Sequence, residues 1–166
     1  MLLYPDHLLE NVLMLTDEFL ESNGIKGIIF DIDNTLVGYH IPKPTAEICA
    51  LLSHLQERGI KMAIASNNSG ARVRRFAADL GLAAYHRSAK PLPFRIRRIV
   101  ADFALSKEQV ALVGDQIFTD IWGGNWAGVQ TILVEPADAM EKNIFFRMKR
   151  ALEKPIIAKR RRMEND

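Results

Sequence analysis

The sequence predicts an α/β fold of three layers, with helices on both faces of a five-stranded, mainly parallel sheet. Two observations predict it. Apolar runs of strand length alternate with stretches of helical spacing along the chain, the pattern of strand–helix–strand units. The 166 residues contain no internal repeat, low-complexity segment or long linker, so one domain with one core is expected.

The elements follow in order. From His7 to Ser22, Leu8, Val12, Leu15 and Phe19 recur at helical spacing, which predicts a first helix. Gly27–Phe30, "GIIF", is a buried strand. Pro44 opens a second helix in the favoured first-turn position, Ile48, Leu51, Leu52 and Leu55 form its apolar face, and Gly59 closes it. "IKMAIAS", residues 60–66, is a second strand. A helix through Arg72–Leu80 stops at Gly81, and "LAAYH" is a weak third strand. "PFRIRRIVADFAL" reads as a helix with Phe94, Ile99 and Phe103 inward. Ser106 and Gln109 fit a Ser-x-x-Gln capping box, or a simple turn. "VALVG" is the fourth strand, Ile117–Ala127 a helix, and "VQTILV" the fifth strand. Inside that helix, Gly123-Gly124 implies close packing or a kink, and Trp122 and Trp126 read as packing residues. A last amphipathic helix is expected from about Asp138 to Leu152.

Right-handed crossovers bring the carboxyl ends of parallel strands to one edge, where ligands bind in such sheets. Asp31 and Asp33 follow the first strand, Ser66 the second, Lys90 the third and Asp115 the fourth. Four separate segments therefore bring polar residues to one rim. Paired carboxylates with Asp115 are hard oxygen donors that suit Mg²⁺. A lysine and a hydroxyl beside them suit a phosphoryl group. One aspartate of the pair can attack phosphorus, and the other can protonate the leaving oxygen and later deprotonate water. A neighbouring anion and partial burial would raise the proton affinity of one carboxyl, as acid catalysis requires. Taken singly, Ser66 also reads as a helix cap, Lys90 as a surface lysine, and Asn67 and Asn68 as loop formers.

"DIDNTL", "ASNNS", "KPL" and "GDQIFTD" resemble, in order, the four motifs of the haloacid dehalogenase (HAD) superfamily of phosphohydrolases, over roughly residues 27–136. Their details, with "GDQIFTDIWGGNWAGVQTILVEP", resemble the YqeG branch of the cap-less subclass III, which is similar to mitochondrial phosphatidylglycerophosphate phosphatases. The resemblance implies a Rossmann-like HAD fold and an Mg²⁺-dependent phosphomonoester hydrolase working through an aspartyl-phosphate. It makes Asp31 the nucleophile and a metal ligand. Asp33 becomes the general acid/base, with its carbonyl on the metal, and Asp115 the third protein contact to Mg²⁺. Ser66 and Asn67 would meet the phosphoryl group, Lys90 would balance its charge and steady Asp31, and Thr35 would shape the motif loop. Asp120 either reaches the metal through water or orients Lys90, and a plain helix-face acid is its third reading.

The spacing leaves no room for a large cap domain, because helices and strands of the sheet fill 33–66 and 66–90. An open site with "VGYHIPK" as a short flap suits a phosphate presented by something large. One domain is expected over 1–154, with its core at 25–136 and a basic tail at 155–166. Net charge is +2, yet Lys142–Asp166 holds nine Lys/Arg against three Asp/Glu. Eight basic residues from Arg72 to Arg98 are opposed only by Asp79. These fields favour an anionic partner: a lipid phosphate at a membrane surface first, nucleic acid second. A solvated terminus is the plainer reading of the tail. Cys49 is the single cysteine, and no leader or transmembrane pattern is read, so a cytoplasmic protein, peripheral at a membrane, is expected. The alternatives are a broad sugar-phosphate or nucleotide phosphatase, and a non-catalytic RNA- or protein-binding module of the same fold. The sequence leaves the oligomeric state open.

Overall fold

The computed structural model describes residues 2–138 and 143–165. Its elements in chain order are β1 His7–Leu9, α1 Asp17–Ser22, β2 Gly27–Phe30, α2 Ala46–Glu57, β3 Lys61–Ala65, α3 Gly70–Ala77, β4 Ala83–Tyr85, α4 Phe94–Phe103, β5 Val110–Gly114, α5 Trp122–Ala127, β6 Gln130–Val134 and α6 Ile144–Asn165. The strands form one sheet in the order β1-β6-β5-β2-β3-β4, every pair parallel. The α/β class is as the sequence predicts, but the sheet has six strands, not five.

The sixth strand comes from the segment expected to be a helix. His7, Leu8 and Leu9 pair with Ile132, Leu133 and Val134 at the sheet edge. A short 3₁₀ turn, Val12–Met14, follows, and a helix starts only where the Thr16 hydroxyl accepts from the Phe19 N–H at 3.2 Å. Helical spacing misled because Val12 and Leu15 are buried from a turn and a loop.

Alternation along each strand feeds two cores. Ile28 and Phe30 of β2 pack with Ile48, Leu52 and Leu55 of α2 and with Val73 and Phe76 of α3. Ile29, between them, faces Ile96, Ile99 and Phe103 of α4 on the other side. Each such fully buried side chain contributes about 1.5–3 kcal/mol. Phe94 is a correction: it was expected inward and is 71% exposed, because α4 turns Ile96 to the sheet instead. Helix starts also shift. Thr45, not Pro44, begins α2, accepting from the Ile48 N–H, and Ser69 caps α3. The Ser106–Gln109 box forms, with the Ser106 N–H donating to the Gln109 side chain at 3.2 Å. Residues 117–121 form a wide π turn before α5. A Cβ on Gly124 would stand 2.5 Å from Thr131 Cγ2, so close packing explains the glycine pair.

The last helix begins later and runs further than its expected 138–152 span, and residues 139–142 of that span lie outside the described residues. The tail is helical and packed in part. Ile156 and Ile157 pack on Ile117, Ile121 and Leu133. Arg160 donates to the carbonyls of Pro5 and Asp6 at 2.8 and 2.6 Å. Among the described residues no helix is long and apolar enough to cross a membrane.

Candidate active site

Parallel pairing places the ends of β2, β3, β4 and β5 side by side. The ladder runs one residue past β2, the Asp31 N–H donating to the Val113 carbonyl at 3.0 Å. The chain then turns sharply: Asn34 adopts φ +59°, which asparagine tolerates better than most residues, and its N–H donates to Val37 O at 2.7 Å. This turn holds Asp31 and Asp33 at the rim. The Thr35 hydroxyl donates to Asp115 Oδ1 at 3.1 Å, tying the loop after β2 to the end of β5.

Lys90 is the centre of the site. Its buried ammonium donates to Asp120 Oδ1 at 2.6 Å and to Asp31 Oδ1 at 3.1 Å. Its backbone is fixed by a reciprocal pair with the Asn67 side chain, both bonds 2.9 Å. Ser66, buried beside it, accepts from the Asn68 N–H at 3.1 Å and does not cap α3, a role held by Ser69. Asp120 is no surface acid: it is buried, pairs with Lys90, and accepts from the Gln116 N–H at 3.2 Å. Only glycine fits at 114, where a Cβ would lie 2.2 Å from Asp120 Cγ.

Burial pushes the Asp31 carboxyl well above its ordinary range; Lys90 opposes this, while Asp120 and Asp115 add to it. Asp115 is pushed up to about 6, again by burial, with Arg150 pulling down and Asp120 pushing up. Burial would lower Lys90, but the Asp120 and Asp31 carboxylates outweigh it and the ammonium is held more firmly than usual. One carboxylate oxygen from each of Asp31, Asp115 and Asp120 lies within 4.8 Å of the others. Three buried oxygen donors with no sulfur or imidazole fit a hard divalent cation.

The sequence reading does not single out Arg72, Arg150 or the aromatic residues of α6 as site residues, and it takes Asn68 as a loop former. Arg72 reaches Asp33 Oδ1 with Nε at 3.2 Å and Nη2 at 3.0 Å, and Asn68 Nδ2 donates to Asp33 Oδ2 at 2.9 Å. Arg150 of α6 donates to both the backbone carbonyl and the carboxylate of Asp115. A cavity of about 320 Å³ above Asp31 and Lys90 is lined by Tyr39 of the short flap and by Phe145, Phe146 and Lys149 of α6. The basic composition of Arg72 and Arg150 was visible; which carboxylate each would meet was not, because helix orientation decides it.

A cap-less α/β core with a lysine-bridged carboxylate cluster at its strand ends defines a class, and residues 37–128 match the haloacid dehalogenase-like hydrolases: the chain belongs to this family and is a phosphatase. It is 37% identical over 154 residues to the Bacillus subtilis (strain 168) protein named "Probable phosphatase YqeG", covering 93% of this chain and 89% of that one. It is 29% identical over 151 residues to "Phosphatidylglycerophosphate phosphatase 1, chloroplastic/mitochondrial" of Arabidopsis thaliana, covering 82% of this chain but 42% of that protein's length. Among solved structures, the cobalt-bound deoxy-D-mannose-octulosonate 8-phosphate phosphatase of Haemophilus influenzae superposes with a TM-score of 0.54 at 18% identity, over 83% of this chain and 90% of that one. The related phosphatase of Moraxella catarrhalis, solved with magnesium, phosphate and KDO, superposes at 0.50 with 21% identity, over 61% and 64%. These two likenesses concern the fold.

Proposed function

We propose that the chain hydrolyses phosphomonoesters through an aspartyl-phosphate on Asp31, with Mg²⁺ as its cation. The observation that carries this reading is the Lys90 bridge: one buried ammonium steadies Asp31 and Asp120 together at the mouth of β2. A carboxylate oxygen of Asp31 attacks phosphorus as the bond to the ester oxygen breaks, and Asp33 passes its proton to that leaving oxygen. Asp33 then takes a proton from water, which attacks the same phosphorus and releases inorganic phosphate and free Asp31. Lys90 balances the charge of the phosphoryl oxygens, with Ser66 and Asn67 beside it as their hydrogen-bonding partners. Arg72 and Asn68 hold Asp33 at the rim, facing the cavity. Asp31 and Asp115, with the Asp33 carbonyl, would hold Mg²⁺, and Asp120 orients Lys90. The ion supplies positive charge that relieves repulsion between the acids and the phosphate.

The substrate is read as a phosphate presented by a large or membrane-bound molecule, with an anionic lipid phosphate such as phosphatidylglycerophosphate first. The name of the Arabidopsis relative supports this, as does a cavity bordered by aromatic side chains and Lys149. Asp31→Asn is the test: turnover of an aryl phosphate and of the lipid phosphate should both vanish while the circular dichroism spectrum stays that of the folded protein. Near-native turnover by pure Asp31→Asn would rule out the covalent route.

A further inference from the structure

The oxygens of Asp115 are engaged by the chain itself. Thr35 donates to Oδ1 at 3.1 Å. Arg150 donates to Oδ2 and to the backbone carbonyl of the same residue. Arg150 comes from α6, far along the chain, and it is the only element outside the sheet's own loops to reach this carboxylate among the described residues. Its seat is built. Glu153, 1% exposed, lies 3.7 Å from the guanidinium and accepts the Ile117 N–H at 2.8 Å, while Lys149 donates to Gln116 Oε1 at 2.7 Å.

Charge explains why a guanidinium stands here. Asp31, Asp115 and Asp120 form a buried cluster, and Lys90 neutralises part of it. Arg150 supplies a second positive charge from the Asp115 side, where the cation read above would also bind. Two positive charges on one carboxylate repel each other strongly at low effective dielectric.

We propose that Arg150 and the divalent cation exchange at Asp115: cation binding displaces the guanidinium and loosens the first turns of α6, and seating of α6 weakens cation binding. By reciprocity, each is antagonistic to the other to the same degree. The proposal rests on Asp115 being a cation ligand. Phe145, Phe146 and Lys149 line the substrate cavity from the same turns of the helix, so the exchange also couples cation loading to the shape of the cavity.

The test is titration calorimetry of Mg²⁺ into wild type, Arg150→Gln and Arg150→Lys, with no substrate present. Arg150→Gln should bind Mg²⁺ about tenfold or more tightly than wild type, and Arg150→Lys, which keeps the charge, should stay near wild type. Equal or weaker binding by Arg150→Gln would overturn the exchange. Hydrogen–deuterium exchange on the wild-type protein reads it without any substitution. Saturating Mg²⁺ should speed exchange of amides in residues 144–154 while slowing it in the loops at 31–37 and 114–120. If Arg150→Gln fails to fold, unchanged or slower exchange across 144–154 in wild type overturns the proposal. No Mg²⁺ binding by any of the three proteins would remove the cation assignment, and the exchange with it.

Discussion

Lys90 lies between two carboxylates with almost no water around it, and such a residue cannot be deleted quietly. Lys90→Met keeps the length of the side chain but leaves Asp31 and Asp120 facing each other as buried acids. Removing one member of a buried ion network typically costs about 3–5 kcal/mol, so urea unfolding should show a loss of that order together with loss of turnover. Unchanged stability would mean that the two acids take up protons at no cost. Gly114→Ala tests the same cluster from below: the new methyl group cannot coexist with Asp120 where it stands, and the variant should lose activity with its helices intact by circular dichroism. The cluster was legible residue by residue, because Asp31, Ser66 and Asp115 directly follow strands, Lys90 lies in the segment after β4, and strand ends converge. Arg72 and Arg150 were not legible as site residues. They arrive from helices, and sequence spacing does not tell which way a basic side chain on a helix will reach.

At the scale of elements, α6 departs furthest from the expectation of a solvated tail. Glu153 binds it to the turn after β5, accepting the N–H groups of Ile117 and Phe118. Burial pushes this carboxyl above its ordinary value near 4.5, with Arg150 and the Phe118 and Ile117 N–H groups pulling down. A carboxyl with a higher pKa folded than unfolded gives its full stabilisation below the unfolded value and loses it as pH rises through the folded one. Glu153→Gln cannot ionise, so its melting temperature should gain on wild type as pH goes from about 4 to 7; a gap that stays constant with pH would show that Glu153 does not titrate abnormally. Removal of residues after Lys154 should lower stability by about 2–4 kcal/mol, since Ile156 and Ile157 leave an apolar surface on Ile117 and Leu133 uncovered. Chemical denaturation of the truncated chain measures this, and a loss below about 0.5 kcal/mol, the usual scatter of surface changes, would return the tail to a solvated terminus. The amphipathic pattern of α6 was legible, but its length was not: Pro155 and a dense run of cations argue for an end that the contacts of Arg160 and Arg161 override. The first helix failed for the opposite reason, since three residues of edge strand carry too few side chains to separate one period from another.

For the molecule as a whole, a cation held by the proposed ligands would link binding to folding. A ligand that binds only the folded chain stabilises it by about 2.7 kcal/mol at one hundred times its dissociation constant, so Mg²⁺ should raise the melting temperature, EDTA should reverse the rise, and Asp115→Asn should abolish it. A rise of equal size in Asp115→Asn would move the cation elsewhere. The fold class was legible because alternating strand and helix periods permit few arrangements. The sixth strand was hidden because His7 pairs with a partner at Ile132, and no local pattern announces a contact over that separation. That same pairing sets an order of events during synthesis. The strand made first must wait, with both hydrogen-bonding edges unpaired, until the strand made last leaves the ribosome; meanwhile β2, β3, β4 and β5 can already assemble around Lys90. The nascent chain therefore passes through a stage in which the Lys90 cluster can be in place while the sheet is still unfinished, and the exposed edge of that sheet is the point at which a chaperone, or another unfinished copy, would take hold.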